Sequence, residues 1–102
     1  MKHQLLAVIV VLLATIGLAH AAGDAAAGKT KAASCAGCHG ANGEGNGPNP
    51  PLAGKTEAKF AQAIADYKSG KRANPAMKTF AGQLSDADVA NLAAYYASLK
   101  KK

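Results

Sequence analysis

The chain has 102 residues, with 12 Lys and Arg against 6 Asp and Glu, a formal charge of +6, 49% apolar residues, two cysteines and no tryptophan. That length holds one small domain at most, and the absence of aromatic residues interleaved with basic ones speaks against nucleic acid as a partner. No carboxylate pair, no nucleophile beside a base and no phosphate-binding loop marks the chain as an enzyme.

Residues 1–21 have a composition of their own. Lys2 and His3 precede an apolar run from Leu5 to Leu18, which gives way to Ala19, His20, Ala21 and Ala22. A basic start, an apolar middle and a small-residue end predict an export signal cleaved after Ala21. The run includes Thr15 and Gly17 and is shorter than the about 20 apolar residues of a membrane span, so no stable anchor is expected. The mature domain is then 22–102, and the loss of Lys2 lowers its formal charge to +5. His3, His20 and Met1 leave with the leader, so His39 and Met77 are the remaining histidine and methionine. A domain this small, with few large apolar side chains, buries little core and needs something further to stabilise it.

The first predicted helix runs from Asp24 to about Ser34, with Asp24 as its cap. It leads into Cys35-Ala36-Gly37-Cys38-His39, the C-x-x-C-H pattern of covalent haem attachment. Cysteines three apart on a helical turn project from one face, so both sulfurs can reach the vinyl groups along one haem edge while the next residue turns its imidazole toward the iron. The cysteine pair has three other readings. A thioredoxin-like redox pair needs a βαβ context that is absent, a structural zinc site needs four ligands, and a plain disulfide remains the simplest alternative in an exported protein.

From Gly40 to Gly54, five glycines and Pro48, Pro50 and Pro51 predict a long loop. Thr56 caps a second helix through about Lys68, with Phe60, Ala63, Ile64 and Tyr67 on one face, and Gly70 ends it. Lys71 to Leu84 reads as irregular, broken by Pro75 and Gly82, with Met77 inside it. Ser85 opens the last helix with Asp88 as a capping box, and Val89, Leu92, Ala93, Tyr96 and Leu99 form its apolar stripe. The final Lys100, Lys101 and Lys102 suit the negative end of that helix dipole.

These residues together resemble the class I c-type cytochromes, of the small single-haem kind exported by bacteria. The resemblance covers essentially all of residues 23–102. It rests on Gly23, Asp24 and Gly28, on Cys35 to Gly40, on Asn49-Pro50-Pro51-Leu52-Ala53-Gly54, on Asn74-Pro75-Ala76-Met77, and on Leu84-Ser85-Asp86 with Leu92 to Tyr96. The position of the haem motif near the start of the mature chain differs from four-helix-bundle cytochromes, which carry it near the C-terminus.

The resemblance implies an all-α fold, a small cytochrome c domain of three main helices and long loops wrapped around one covalently bound haem c. Cys35 and Cys38 would form the thioethers, His39 would bind iron on the proximal side and Met77 on the distal side. Pro50 would accept a hydrogen bond from the His39 ring, Gly28 and Tyr95 would mark a close crossing of the first and last helices, and Leu52, Phe60, Ile64, Tyr67 and Phe80 would wall the haem crevice. The implied function is one-electron transfer in the periplasm by a monomer that is not an enzyme. Separately, the formal charge of +5 on the mature domain would attract redox partners with an acidic face to a basic rim, for which Lys29, Lys31 and Lys78 are candidates. Two alternatives stay open: a haem subunit of a dehydrogenase or oxidase complex, and a ligand-sensing haem protein should Met77 not bind iron.

Overall fold

A computed structural model describes residues 23–100. The expected leader, residues 1–21, lies outside the described residues. Five helices follow one another: α1 (Ala25–Lys31), α2 (Ala33–His39), α3 (Glu57–Ser69), α4 (Pro75–Gly82) and α5 (Asp86–Ser98). Among the described residues there is no strand, only an isolated bridge between Asn46 and Asn49.

Four of the helices begin on a side chain that accepts an otherwise unpaired backbone N–H. Asp24 accepts from Ala26 and Ala27 at 2.9 and 3.2 Å, and Thr56 accepts from Lys59 at 3.2 Å. Asn74 accepts from Met77 at 3.0 Å. Ser85 and Asp88 exchange two bonds of 3.0 Å each, the expected capping box. Gly70 ends α3 in the left-handed conformation.

Two expectations need correction. The single first helix is divided at Ala32, where ψ opens to −11° before α2 begins; Ala32 is itself buried, so the chain changes direction against the core. The stretch from Lys71 to Leu84 is not irregular throughout. Pro75 stands in the first turn of α4, where its missing N–H would have had no helical partner, and Asn74 supplies the cap. Met77 is therefore on a helix rather than in a loop, and three expected helices become five.

The helices pack through small residues. A Cβ placed on Gly28 would lie 2.0 Å from the Asn91 carbonyl oxygen and 2.8 Å from Tyr95 Cβ, so α1 and α5 cross with their backbones nearly touching. Asn91 strengthens the crossing by accepting from the Asp24 N–H at 2.8 Å. The buried apolar set is Ala32, Ala53, Phe60, Ile64, Ala81, Leu92, Ala93 and Tyr96. Half of these are alanines, which bury little area each, so the transfer free energy gained at about 25 cal/mol per Å² is modest. Phe60 and Tyr96 pack with ring centroids 5.7 Å apart, joining α3 to α5. Lys68 Nζ donates to the Leu84 carbonyl at 2.9 Å and ties α3 to the second residue after α4.

The long loop is held by its own hydrogen bonds. The Leu52 and Ala53 N–H groups donate to the Gly43 carbonyl at 2.7 and 2.9 Å, and the Gly54 N–H donates to the Tyr96 carbonyl at 2.9 Å. Gly43 has φ +69°, and a Cβ there would sit 2.6 Å from Tyr96 Cε1; glycine satisfies both constraints. These bonds fix the segment carrying Pro50 and Leu52 opposite α2.

Candidate functional site

The helical register of α2 decides where the motif points. Cys35 is half-buried and Cys38 is exposed, both as free thiols, and His39 is buried at the helix end, 7% exposed. The His39 Nδ1 lies 2.8 Å from the Pro50 carbonyl oxygen. A carbonyl only accepts, so Nδ1 carries the proton and Nε2 keeps its lone pair. The same histidine's carbonyl accepts from the Gly45 N–H at 2.7 Å, which anchors the loop on both sides of the ring. Pro50 thus makes the contact expected of it.

Cys35, Cys38 and His39 open onto a cleft of about 230 Å³ that Met77 also lines, across from α2 on α4. The four expected site residues are therefore brought to one cavity. Its walls include Leu52, Phe60, Ile64, Tyr67 and Phe80, the five side chains expected there. Phe80 is 43% exposed, an apolar ring standing at the cleft with too little protein around it to cover it. A second hollow, lined by Glu44, Pro51, Lys55 and Lys59 among others, contains no sulfur or imidazole.

Tyr96 sits behind Cys35. Burial first, then the charge and hydrogen bond of Cys35, push the Tyr96 phenol well above its ordinary range, so it remains a neutral donor at any physiological pH. Among the described residues no group of three or more His, Cys, Asp or Glu could hold a metal ion, which leaves a zinc site without ligands. Of the cations expected around the cleft, Lys31 lines it whereas Lys29 and Lys78 do not. Lys55 and Arg72 do line it, and nothing in their local sequence pattern signalled that.

The donor set suits a haem: two free thiols three residues apart, one imidazole with its outer nitrogen engaged, one thioether opposite, and apolar walls between. The cytochrome c family profile matches residues 25–100. The chain belongs to the cytochrome c family. Its cofactor is the covalently bound haem c of that family, and its all-helical architecture is that of the family's small domains. It is 48% identical to a cytochrome c4 from Pseudomonas aeruginosa over 96% of this chain and 49% of that one. It is 44% identical to cytochrome c-554(548) from Halomonas halodenitrificans over 76% of this chain and 98% of that one. The crystal structure of reduced cytochrome c4 from Pseudomonas stutzeri superimposes with a TM-score of 0.73 at 35% identity, over 79% of this chain and 48% of that chain. The chain spans about half the length of the cytochrome c4 relatives it matches.

Proposed function

We propose that this chain is a one-electron carrier, with haem attached through Cys35 and Cys38 and iron held between His39 and Met77. The observation that carries the reading is the convergence of these four side chains on one apolar cleft, with the His39 ring already fixed by Pro50. Bound haem c supplies an iron that cycles between Fe(III) and Fe(II). The protein supplies everything that tunes it. The hydrogen bond to Pro50 orients the imidazole and raises its basicity as a ligand. Met77 contributes a neutral, polarizable sulfur, which favours Fe(II) and raises the reduction potential. The apolar walls act in the same direction by disfavouring the additional charge of the oxidised state. Iron held by both His39 and Met77 would have no position left for a substrate, so the chain would work as a carrier rather than a catalyst.

Residues 1–21 are read as a cleaved export signal and residues 22–102 as one monomeric domain working in the periplasm. Among the described residues no helix is long and apolar enough to cross a membrane. Lys31, Lys55 and Arg72 line the cleft and no Asp or Glu does, so the partners that deliver and remove the electron present acidic faces to this rim. Such a match steers the encounter and fixes orientation more than it adds affinity.

Met77→Ala tests the axial assignment. The variant keeps covalent haem, loses the sulfur-to-iron charge-transfer band of the oxidised protein, has a lower reduction potential, and binds carbon monoxide once reduced. An unchanged spectrum and potential would make Met77 a packing residue, and a wild-type protein that already binds carbon monoxide at neutral pH would favour ligand sensing.

A further inference from the structure

The chain has five asparagines, and they differ in the backbone that follows them. Asparagine is thermolabile: the backbone nitrogen of the next residue can attack its side-chain carbonyl carbon and close a five-membered imide. Asn49 and Asn74 precede Pro50 and Pro75, whose nitrogens carry no proton to release. Asn91 lies within α5, its Oδ1 accepts from the Asp24 N–H at 2.8 Å, and a leucine follows it. Asn42 and Asn46 each precede a glycine, which puts no side chain in the way of the ring.

Those two sites are opposite in setting. Gly43 is buried, its N–H donates to the Gly40 carbonyl at 3.0 Å, and its own carbonyl accepts from Leu52 and Ala53. Attack by that nitrogen requires the loop to open first. Asn46 and Gly47 are exposed. A Cβ on Gly47 would meet nothing within 4 Å, and among the described residues its N–H donates to no partner. This turn is also clamped to His39 at both ends: the Gly45 N–H donates to the His39 carbonyl at 2.7 Å, and His39 Nδ1 donates to the Pro50 carbonyl at 2.8 Å. Between the clamps the chain closes on itself through Asn46 and Asn49, whose N–H groups each donate to the other's carbonyl at 3.0 Å.

We infer that Asn46 and Gly47 form a self-modifying site, and that its product loosens the hold of Pro50 on His39. The Gly47 nitrogen loses its proton and bonds to Asn46 Cγ, and the side-chain nitrogen leaves as ammonia, taking up that proton. Water then opens the imide. Opening at the original main-chain carbonyl gives isoaspartate: the chain now runs through Cβ and Cγ, one carbon longer, and the carbonyl that accepted from Asn49 becomes a free carboxylate. The turn cannot take in an additional backbone atom and keep both bonds of the pair, so the segment between the two His39 clamps shifts. The redox effect rests on the reading that His39 holds the iron: a weaker bond at Nδ1 makes the imidazole a less basic ligand and favours Fe(II).

The haem-loaded protein is incubated at mildly alkaline pH in water enriched in heavy oxygen, then cut after Glu44, which separates Asn42 from Asn46, and the fragments are analysed by mass spectrometry. The Asn46 fragment takes up heavy oxygen with isoaspartate as the main product, and the Asn42 fragment does so more slowly by about tenfold or more. Asn46→Gln abolishes the uptake. Equal uptake at the two sites, or none at Asn46, overturns the assignment. The isoaspartate form, separated by its additional negative charge, is then compared with Asn46→Asp, which has the same charge on a normal backbone. In the electron-exchange equilibrium with a fixed one-electron couple, the isoaspartate form lies further toward the reduced state. Equal equilibria overturn the link to His39. A wild-type chain isolated without covalent haem defeats the proposed function instead, which is a separate outcome from the uptake at Asn46.

Discussion

Replacing Gly28 by alanine probes the crossing on which the fold depends. The added Cβ would stand 2.0 Å from the Asn91 carbonyl oxygen, about 1.4 Å short of the 3.4 Å at which ordinary contact begins, and 2.6 Å from the Asn91 carbonyl carbon. Both obstacles are backbone atoms in the middle of α5, so no side chain can rotate away and the two helices must part. Overpacking of this kind costs about 1–3 kcal/mol or more, and the rigidity of the opposing atoms places Gly28→Ala near the upper end. The substitution also recovers about 0.5–1 kcal/mol of helix propensity, leaving a net loss of about 2 kcal/mol. For a domain of this size each kcal/mol moves the melting temperature by about 4–8 °C, so a fall of roughly 10 °C is expected in thermal melts of the haem-loaded protein followed at the haem absorbance. Gly82→Ala is the control. A Cβ there meets nothing within 4 Å, and the substitution is expected to be neutral or to stabilise by up to about 1 kcal/mol. If Gly28→Ala melts within a degree or two of the wild type, the close crossing of α1 and α5 is wrong.

Three further outcomes follow from the same structure. Exported Cys35→Ala/Cys38→Ala protein is expected to lack fixed tertiary packing, because a core that is half alanine cannot offset the chain entropy alone; a cooperative melt with intact near-ultraviolet circular dichroism would show that haem is not needed to complete it. Ser85 N–H chiefly, with Lys31 contributing, holds the Asp88 carboxyl below the usual carboxylate range. Its contribution to stability is therefore full above about pH 4 and is lost as the pH falls further, so Asp88→Asn should flatten the acid side of a denaturant-unfolding series, and Ser85→Ala should cost about 1 kcal/mol at neutral pH. Electron exchange with an acidic redox partner should slow as ionic strength rises, and a rate indifferent to salt would remove the basic rim from the docking account.

The parts of this molecule that were legible in its sequence are those specified by local chemistry. The C-x-x-C-H run, the caps at Thr56 and Ser85, and the stripe of Leu92, Ala93 and Tyr96 each depend on residues within a turn or two of one another. The roles of Pro50 and of the Gly28–Tyr95 crossing required the family resemblance, since no local rule pairs residue 28 with residue 95. Two helix boundaries are not legible in the sequence, for opposite reasons. Ala32 is a good helix former, and the break there is imposed by packing, which has no signature in sequence. Pro75 is a breaker inside a helix but a favoured starter in the first turn, and Asn74 before it is the cap that marks this start.

Haem bonded through Cys35 and Cys38 is the premise of the proposed carrier function. The direct measurement is mass spectrometry of the purified protein after denaturation and extraction with acidic organic solvent, followed by proteolysis. Haem is expected to stay with the polypeptide, and the fragment containing Cys35, Cys38 and His39 is expected to carry the mass of one haem. Haem extracted into the solvent, or a haem-free fragment in which Cys35 and Cys38 form a disulfide, would contradict that premise.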